Sequence, residues 1–100
     1  MVKHIIIWNL KDTLTTEEKQ KIKLDAKKNL EALVGKIDGL IDLKITIDFL
    51  PTSNGEMMLD STVESFEALK AYATHPAHQS AANEFVRPYT SSRSCVDFEI

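Results

Sequence analysis

The segment Tyr72-Ala73-Thr74-His75-Pro76-Ala77-His78 gathers two of the chain's three histidines and one of its two tyrosines around a proline. Histidine is the side chain whose unperturbed pKa lies nearest neutrality, so two imidazoles beside a phenol form a candidate proton-handling group. The competing reading is structural: one helix ends at His75, another begins near His78, and both imidazoles cap backbone groups. A metal pair is the third use of two histidines at this spacing. Pro76 rules out the regular helix that would set both rings on one face. No cysteine or paired acid stands nearby to complete a ligand set, so no metal is expected.

The elements that must position this segment can be read along the chain. Val2 to Leu10 is a strand with Val2, His4, Ile6, Trp8 and Leu10 on one side and Ile5, Ile7 and Asn9 on the other, apolar on both. Thr15-Thr16-Glu17-Glu18 is a capping box. The helix it opens carries Ile22, Ala26, Leu30, Leu33, Val34 and Ile37 on one face and ends at Gly35 or Gly39. Leu40 to Leu50 alternates, with Ile41, Leu43, Ile45, Ile47 and Phe49 opposite Asp42, Lys44, Thr46 and Asp48. Turn chemistry over Pro51 to Gly55 returns the chain as a hairpin arm from Glu56 to Val63.

Ser65 caps a second helix whose Phe66, Leu69, Tyr72 and Ala73 face the core. Pro76 stops it, a short helical piece covers Gln79 to Val86, and Arg87-Pro88 ends that piece. Cys95 to Ile100 is the final strand. The order β-α-β-β-α-β predicts one α+β domain over residues 1–100, a ferredoxin-like fold with a four-stranded antiparallel sheet and its helices on one face. The other face has no helix over it and is partly apolar, which predicts a homodimer formed through that face.

Composition narrows the class. One hundred residues with 43% apolar and 27% charged content suit a globular domain, and a chain this short gains from burial between copies. The net charge of −3 argues against nucleic acid, and Asp25 within the lysines of residues 19–28, with Glu17, Glu18 and Glu31 flanking them, makes that stretch a mixed, solvated face. No apolar run is long enough to span a membrane, and the N-terminus enters a strand directly rather than a signal peptide. The lone Cys95 has no disulfide partner within the chain, which suits a cytoplasmic location; in a strand it reads as a small core residue rather than a nucleophile.

Lys3-His4-Ile5-Ile6, the run Val63-Glu64-Ser65-Phe66-Glu67-Ala68-Leu69 leading into Tyr72, His75-Pro76-Ala77-His78 and Val96-Asp97-Phe98 together resemble the stress-responsive A/B barrel domain (Dabb) family of the dimeric α+β barrel superfamily. The resemblance covers nearly the whole chain, and the tyrosine followed by His-Pro-x-His is its specific part. It implies homodimers in which two sheets pack face to face with helices outside. A plant polyketide cyclase of the family is similar through the same tyrosine-to-histidine segment and closes its substrate by an aldol-type step without a cofactor. The resemblance therefore implies His78 as general base, Tyr72 as supporting phenol, and a ligand pocket that includes His4, His75, Leu69 and Ala81. Lys27 replaces a pocket tyrosine of that enzyme, and Ala81 and Ala82 replace bulkier lining, which implies a different substrate.

Abstraction of a proton beside a carbonyl needs a base near neutrality, a dry apolar pocket and a donor for the oxyanion. His78, the space between helices and sheet, and the Tyr72 hydroxyl supply those parts. Taken alone, His4 beside Ile6 and Trp8 reads as a hydrogen-bonded core histidine. Asp97, on a strand expected to neighbour the first, could orient an imidazole or simply meet solvent or a partner subunit. Trp8 and Asn9 are adjacent and so point to opposite sheet faces, which argues against a shared oxygenase or haem pocket. Two functions stay open: a cofactor-free enzyme or binding protein for an apolar carbonyl compound, or a non-catalytic stress-associated dimeric module.

Overall fold

The computed structural model describes residues Met1 to Ile100. The elements are β1 (Val2–Leu10), α1 (Thr16–Glu31), β2 (Leu40–Thr46), β3 (Met57–Val63), α2 (Phe66–Thr74), α3 (Pro76–Phe85), a 3₁₀ turn (Arg87–Tyr89) and β4 (Thr90–Glu99). All strand pairs are antiparallel in the order β2-β3-β1-β4, the ferredoxin-like arrangement. No helix is long and apolar enough to cross a membrane.

The helices settle where local chemistry lets them start. Thr15 closes the expected capping box: its Oγ1 accepts from the Glu18 N–H at 3.1 Å, and Glu18 accepts from the Thr15 N–H at 2.8 Å. Ser65 accepts from the Ala68 N–H at 3.1 Å at the head of α2. Ile22, Ala26 and Leu30 of α1 are buried, at the spacing of one helix face. Ala26 and Leu30, together with Leu33, Ile37, Leu69, Tyr72, Ala81 and Val86, cover Val2, Ile6, Trp8, Leu43, Ile45, Met57, Leu59 and Val63 of the sheet.

Several details differ from the sequence reading. The first helix stops at Glu31, before either glycine, and turns carry the chain to Gly39; Val34, past that end, is exposed while Leu33 and Ile37 are buried. Strand β2 is shorter than its alternation, and a register shift between Leu40 and Asp42 turns Ile41 outward. Phe66 and Ala73 face solvent, and the Lys70 ammonium sits 4.8 Å over the Phe66 ring. The third helical piece starts at Pro76, where a missing N–H costs nothing, so the sheet carries three helices. Strand β4 begins at Thr90, five residues early, and is exposed along its length, so Cys95 is an exposed edge residue and not a core one.

Two clamps tie α1 to the sheet. Lys27 Nζ donates to the Ile45 carbonyl at 2.8 Å and to Glu31 Oε2 at 2.9 Å, and that same oxygen accepts from the Ile45 N–H at 2.9 Å. Glu56 accepts from the Leu10 N–H and from Lys19 Nζ, both at 3.0 Å. Burial opposes ionisation of Glu31 and Glu56, but the lysine and backbone donors outweigh it and hold both carboxyls below their ordinary pKa.

Directly opposite residues of antiparallel strands share a sheet face. Asp97, Cys95 and Arg93 of β4 stand opposite His4, Ile6 and Trp8, on the helix side. Val96 and Phe98 stand opposite Ile5 and Lys3, on the side without helices. There Ile7, Val96 and Phe98 are 42%, 56% and 47% exposed. Such a row of large side chains on an uncovered face marks an interaction surface.

Candidate functional site

Pro76 builds the site by breaking the helix. Without the break, the Ala77 N–H would bond the Ala73 carbonyl; instead Ala77 N–H donates to His75 Nδ1 at 3.0 Å, making His75 the N-cap of α3. The Ala73 carbonyl thus released accepts from His78 Nδ1 at 3.1 Å and from Gln79 Nε2 at 2.6 Å. A carbonyl only accepts, so the proton of neutral His78 is on Nδ1 and the lone pair of Nε2 is free. Burial pushes the His78 pKa below its ordinary value. The Ala73 hydrogen bond opposes this, and the charges of Arg87, His4 and Arg93 push the same way as burial, so the net shift is downward.

His78 forms part of the wall of a cavity of about 90 Å³ between α1, α3 and the sheet. Ile6, Trp8, Leu30, Leu59, Ala82 and Val86 supply its apolar lining, with Arg87, Thr90 and Arg93 the remaining polar groups. Tyr72 is outside that wall: its ring lies against His78, 4.4 Å between centroids and tilted 43°. The phenol is 1% exposed, and its hydroxyl has no hydrogen-bond partner. Burial raises the Tyr72 pKa far above the ordinary phenol value against the opposing charge of Arg93, so the group is a neutral donor.

His4 stands on the other side of Tyr72, edge-on at 5.9 Å between centroids. Its Nδ1 meets Asp97 Oδ1 at 2.5 Å, a pairing set by the β1–β4 register. Cys95 Sγ lies 3.8 Å from the same Nδ1 and 3.6 Å from Asp97 Oδ1. These three donors fall within 4.8 Å of one another and have the chemistry of metal ligands. His4 Nδ1 and Asp97 Oδ1 are at direct hydrogen-bonding distance. Partial burial and the Asp97 carboxylate raise the Cys95 pKa, the opposite of what an activated thiolate needs.

The histidines, Tyr72 and Asp97 thus form one chain of contacts, His78–Tyr72–His4–Asp97. The remaining candidates lie elsewhere. His75 caps α3, Leu69 is a core residue of α2, and Ala81 lines an outer groove with Leu33, Ala77 and Phe85. Lys27 is engaged by Ile45 and Glu31, away from the cavity. Sequence reasoning missed Arg87 and Arg93. Starting the last strand at Thr90 would have put Arg93 in phase with Cys95 and Asp97, on the helix side.

Solved structures share this fold. A dimeric protein of unknown function from Bacteroides fragilis is 32% identical, with 99% of this chain and 95% of that one covered and a TM-score of 0.91. A Dabb family protein from Mesorhizobium loti is 18% identical (99% and 95% covered, TM-score 0.74). Hydroxynitrile lyase from Passiflora edulis is 19% identical (99% and 92% covered, TM-score 0.74). No functionally curated protein matches the chain. The stress responsive A/B barrel domain (Dabb) matches residues 2–100, the whole of the fold just described, and the chain belongs to that family.

Proposed function

We propose that this protein is a homodimer, joined through its helix-free sheet faces, that holds a small carbonyl compound in the His78 cavity and performs cofactor-free acid–base chemistry on it. One observation carries the reading: His78 lines an apolar cavity with Nδ1 occupied by the Ala73 carbonyl and Nε2 unoccupied. A neutral imidazole with depressed pKa is in its basic form at neutral pH, as proton abstraction beside a carbonyl requires. Tyr72, a buried hydroxyl without a partner, stands behind His78 and outside the cavity wall, between that imidazole and the His4–Asp97 pair, so it backs the base rather than touching the ligand. The structure relative from Bacteroides fragilis is described as dimeric, which supports the dimer, and the unpaired Cys95 suits a reducing cytoplasm.

The His75 cap favours the second reading, a non-catalytic binding module, for that residue alone. A thermal-shift screen of small apolar carbonyl compounds on wild type and His78→Ala separates the readings. Compounds that raise the wild-type Tm and leave the variant's unchanged support the site. A broad panel that shifts neither protein returns the whole segment to a structural role.

A further inference from the structure

The cavity has an apolar floor and a cationic rim. Arg87 and Arg93 both line it, and neither is paired with an acid. The chain's five ion pairs join Lys3 to Asp60, His4 to Asp97, Lys19 to Glu56, Lys21 to Asp25 and Lys27 to Glu31, leaving both arginines out. Arg87 is nevertheless held: its Nη1 donates to Gln79 Oε1 at 2.9 Å and Asn83 Oδ1 at 2.5 Å, two neutral amides that orient the guanidinium without cancelling its charge. In a chain with 15 acids against 12 lysines and arginines, two uncompensated arginines at one opening run against the overall balance.

We infer that the ligand of this site is a small carboxylate whose apolar, carbonyl-bearing end enters the cavity while its anionic group is bound at the rim by Arg87 and Arg93. This rests on the function proposed above and narrows its substrate class. Planar guanidinium groups match a carboxylate in a bidentate fork, which a neutral ketone or ester does not reproduce. Size agrees: a dry cavity of about 150 Å³ accepts a benzene ring, and the space here, about 90 Å³, takes a shorter group. Because Arg93 projects from the helix side of β4, a partner on the opposite sheet face leaves it free. The field of both arginines also falls on His78. An anion bound between them relieves that field and strengthens the base as the substrate arrives.

The test is a pair of matched probes, 4-oxopentanoate and 4-oxopentanamide, titrated into the full chain by NMR with the His78 ring signals as reporter. The acid should bind at least tenfold more tightly than the amide, lose affinity as salt rises, and raise the His78 pKa on binding. Arg93→Gln and Arg87→Gln should each weaken the acid about tenfold and leave the amide unchanged. Equal affinity for acid and amide, or an acid indifferent to both substitutions, overturns the inference. So does absence of acid binding at tens of millimolar. Binding of the amide, or of other neutral carbonyl compounds, with loss in His78→Ala would keep the proposed function while removing its anionic substrate. Loss of every carbonyl ligand would remove both.

Discussion

Tyr72 and His78 lie against each other at 4.4 Å across the break between α2 and α3, one ring buried with an unpartnered hydroxyl and the other partly buried with a free nitrogen. A buried hydroxyl without a partner costs about 1–3 kcal/mol, so it persists only where something other than stability favours it. That makes the pair a place where stability and function separate under mutation.

Tyr72→Phe keeps the ring and removes the orphan oxygen. The variant should be more stable than wild type by about 1 kcal/mol, which is roughly 4–8 °C in Tm for a chain of this size. Turnover should change far less than in His78→Ala, because the hydroxyl does not reach the cavity. A calorimetric scan that shows destabilisation would mean the hydroxyl has a partner in solution.

His78→Ala should lower turnover by a factor of ~10² to 10⁴, the ordinary cost of losing a general base. The pH dependence follows from its depressed pKa. The folded state resists protonation of His78 more than the unfolded chain does. Its contribution to stability is therefore complete above pH 6.5 and is lost as pH falls through the lower, folded pKa. Thermal scans from pH 7.5 to 5 should show wild type losing more Tm than His78→Gln. Glu31 and Glu56 act in a lower window, beginning below pH 4.5, because their pKa values are also depressed.

Val96→Glu places a charge among the exposed apolar side chains of the helix-free face. Apolar area left in water costs about 25 cal/mol per Å², the force expected to hold two copies together. Sedimentation should give a dimer for wild type, near twice 11.3 kDa, and a monomer or insoluble protein for the variant. A monomeric wild type at micromolar concentration would exclude the proposed assembly.

Gly39→Ala should destabilise the fold by more than ~1 kcal/mol. Gly39 has φ of +85°, and an added Cβ would fall 2.8 Å from the Ala68 Cβ at the start of α2. Gly35, at φ +90°, has nothing within 4 Å of its would-be Cβ, so Gly35→Ala carries the conformational cost alone. Denaturant titration of the two variants should rank them in that order.

The fold was legible because its signals were local. The Thr15 box, the Ser65 cap and the break at Pro76 each depend on a few adjacent residues and each formed as read. What failed depends on neighbours distant in sequence. The periodicity of Ile41 was sound, but the register shift against β3 turned it outward. Cys95 alternates like a core residue, yet it lies on an edge strand that remains exposed. At the site, Tyr72 and His78 lie in one short segment that the family resemblance singled out, and they meet across the Pro76 break. The approach of Arg93 to the same cavity depends on β1–β4 register and on a strand longer than its apolar residues advertise.

The grip of Lys27 and Glu31 on Ile45 also bears on what the sheet can grow into. A running fibre of stacked sheets needs two free and complementary edges, one on each side of every copy. In β2 the outward N–H and C=O of Ile45 are already taken by side chains of the chain's own first helix. Only β4 presents an edge without such a plug, and like edges can meet only in a closed pair. The clamp therefore closes β2 to strand addition at Ile45, and edge-to-edge growth of the sheet can begin only at β4.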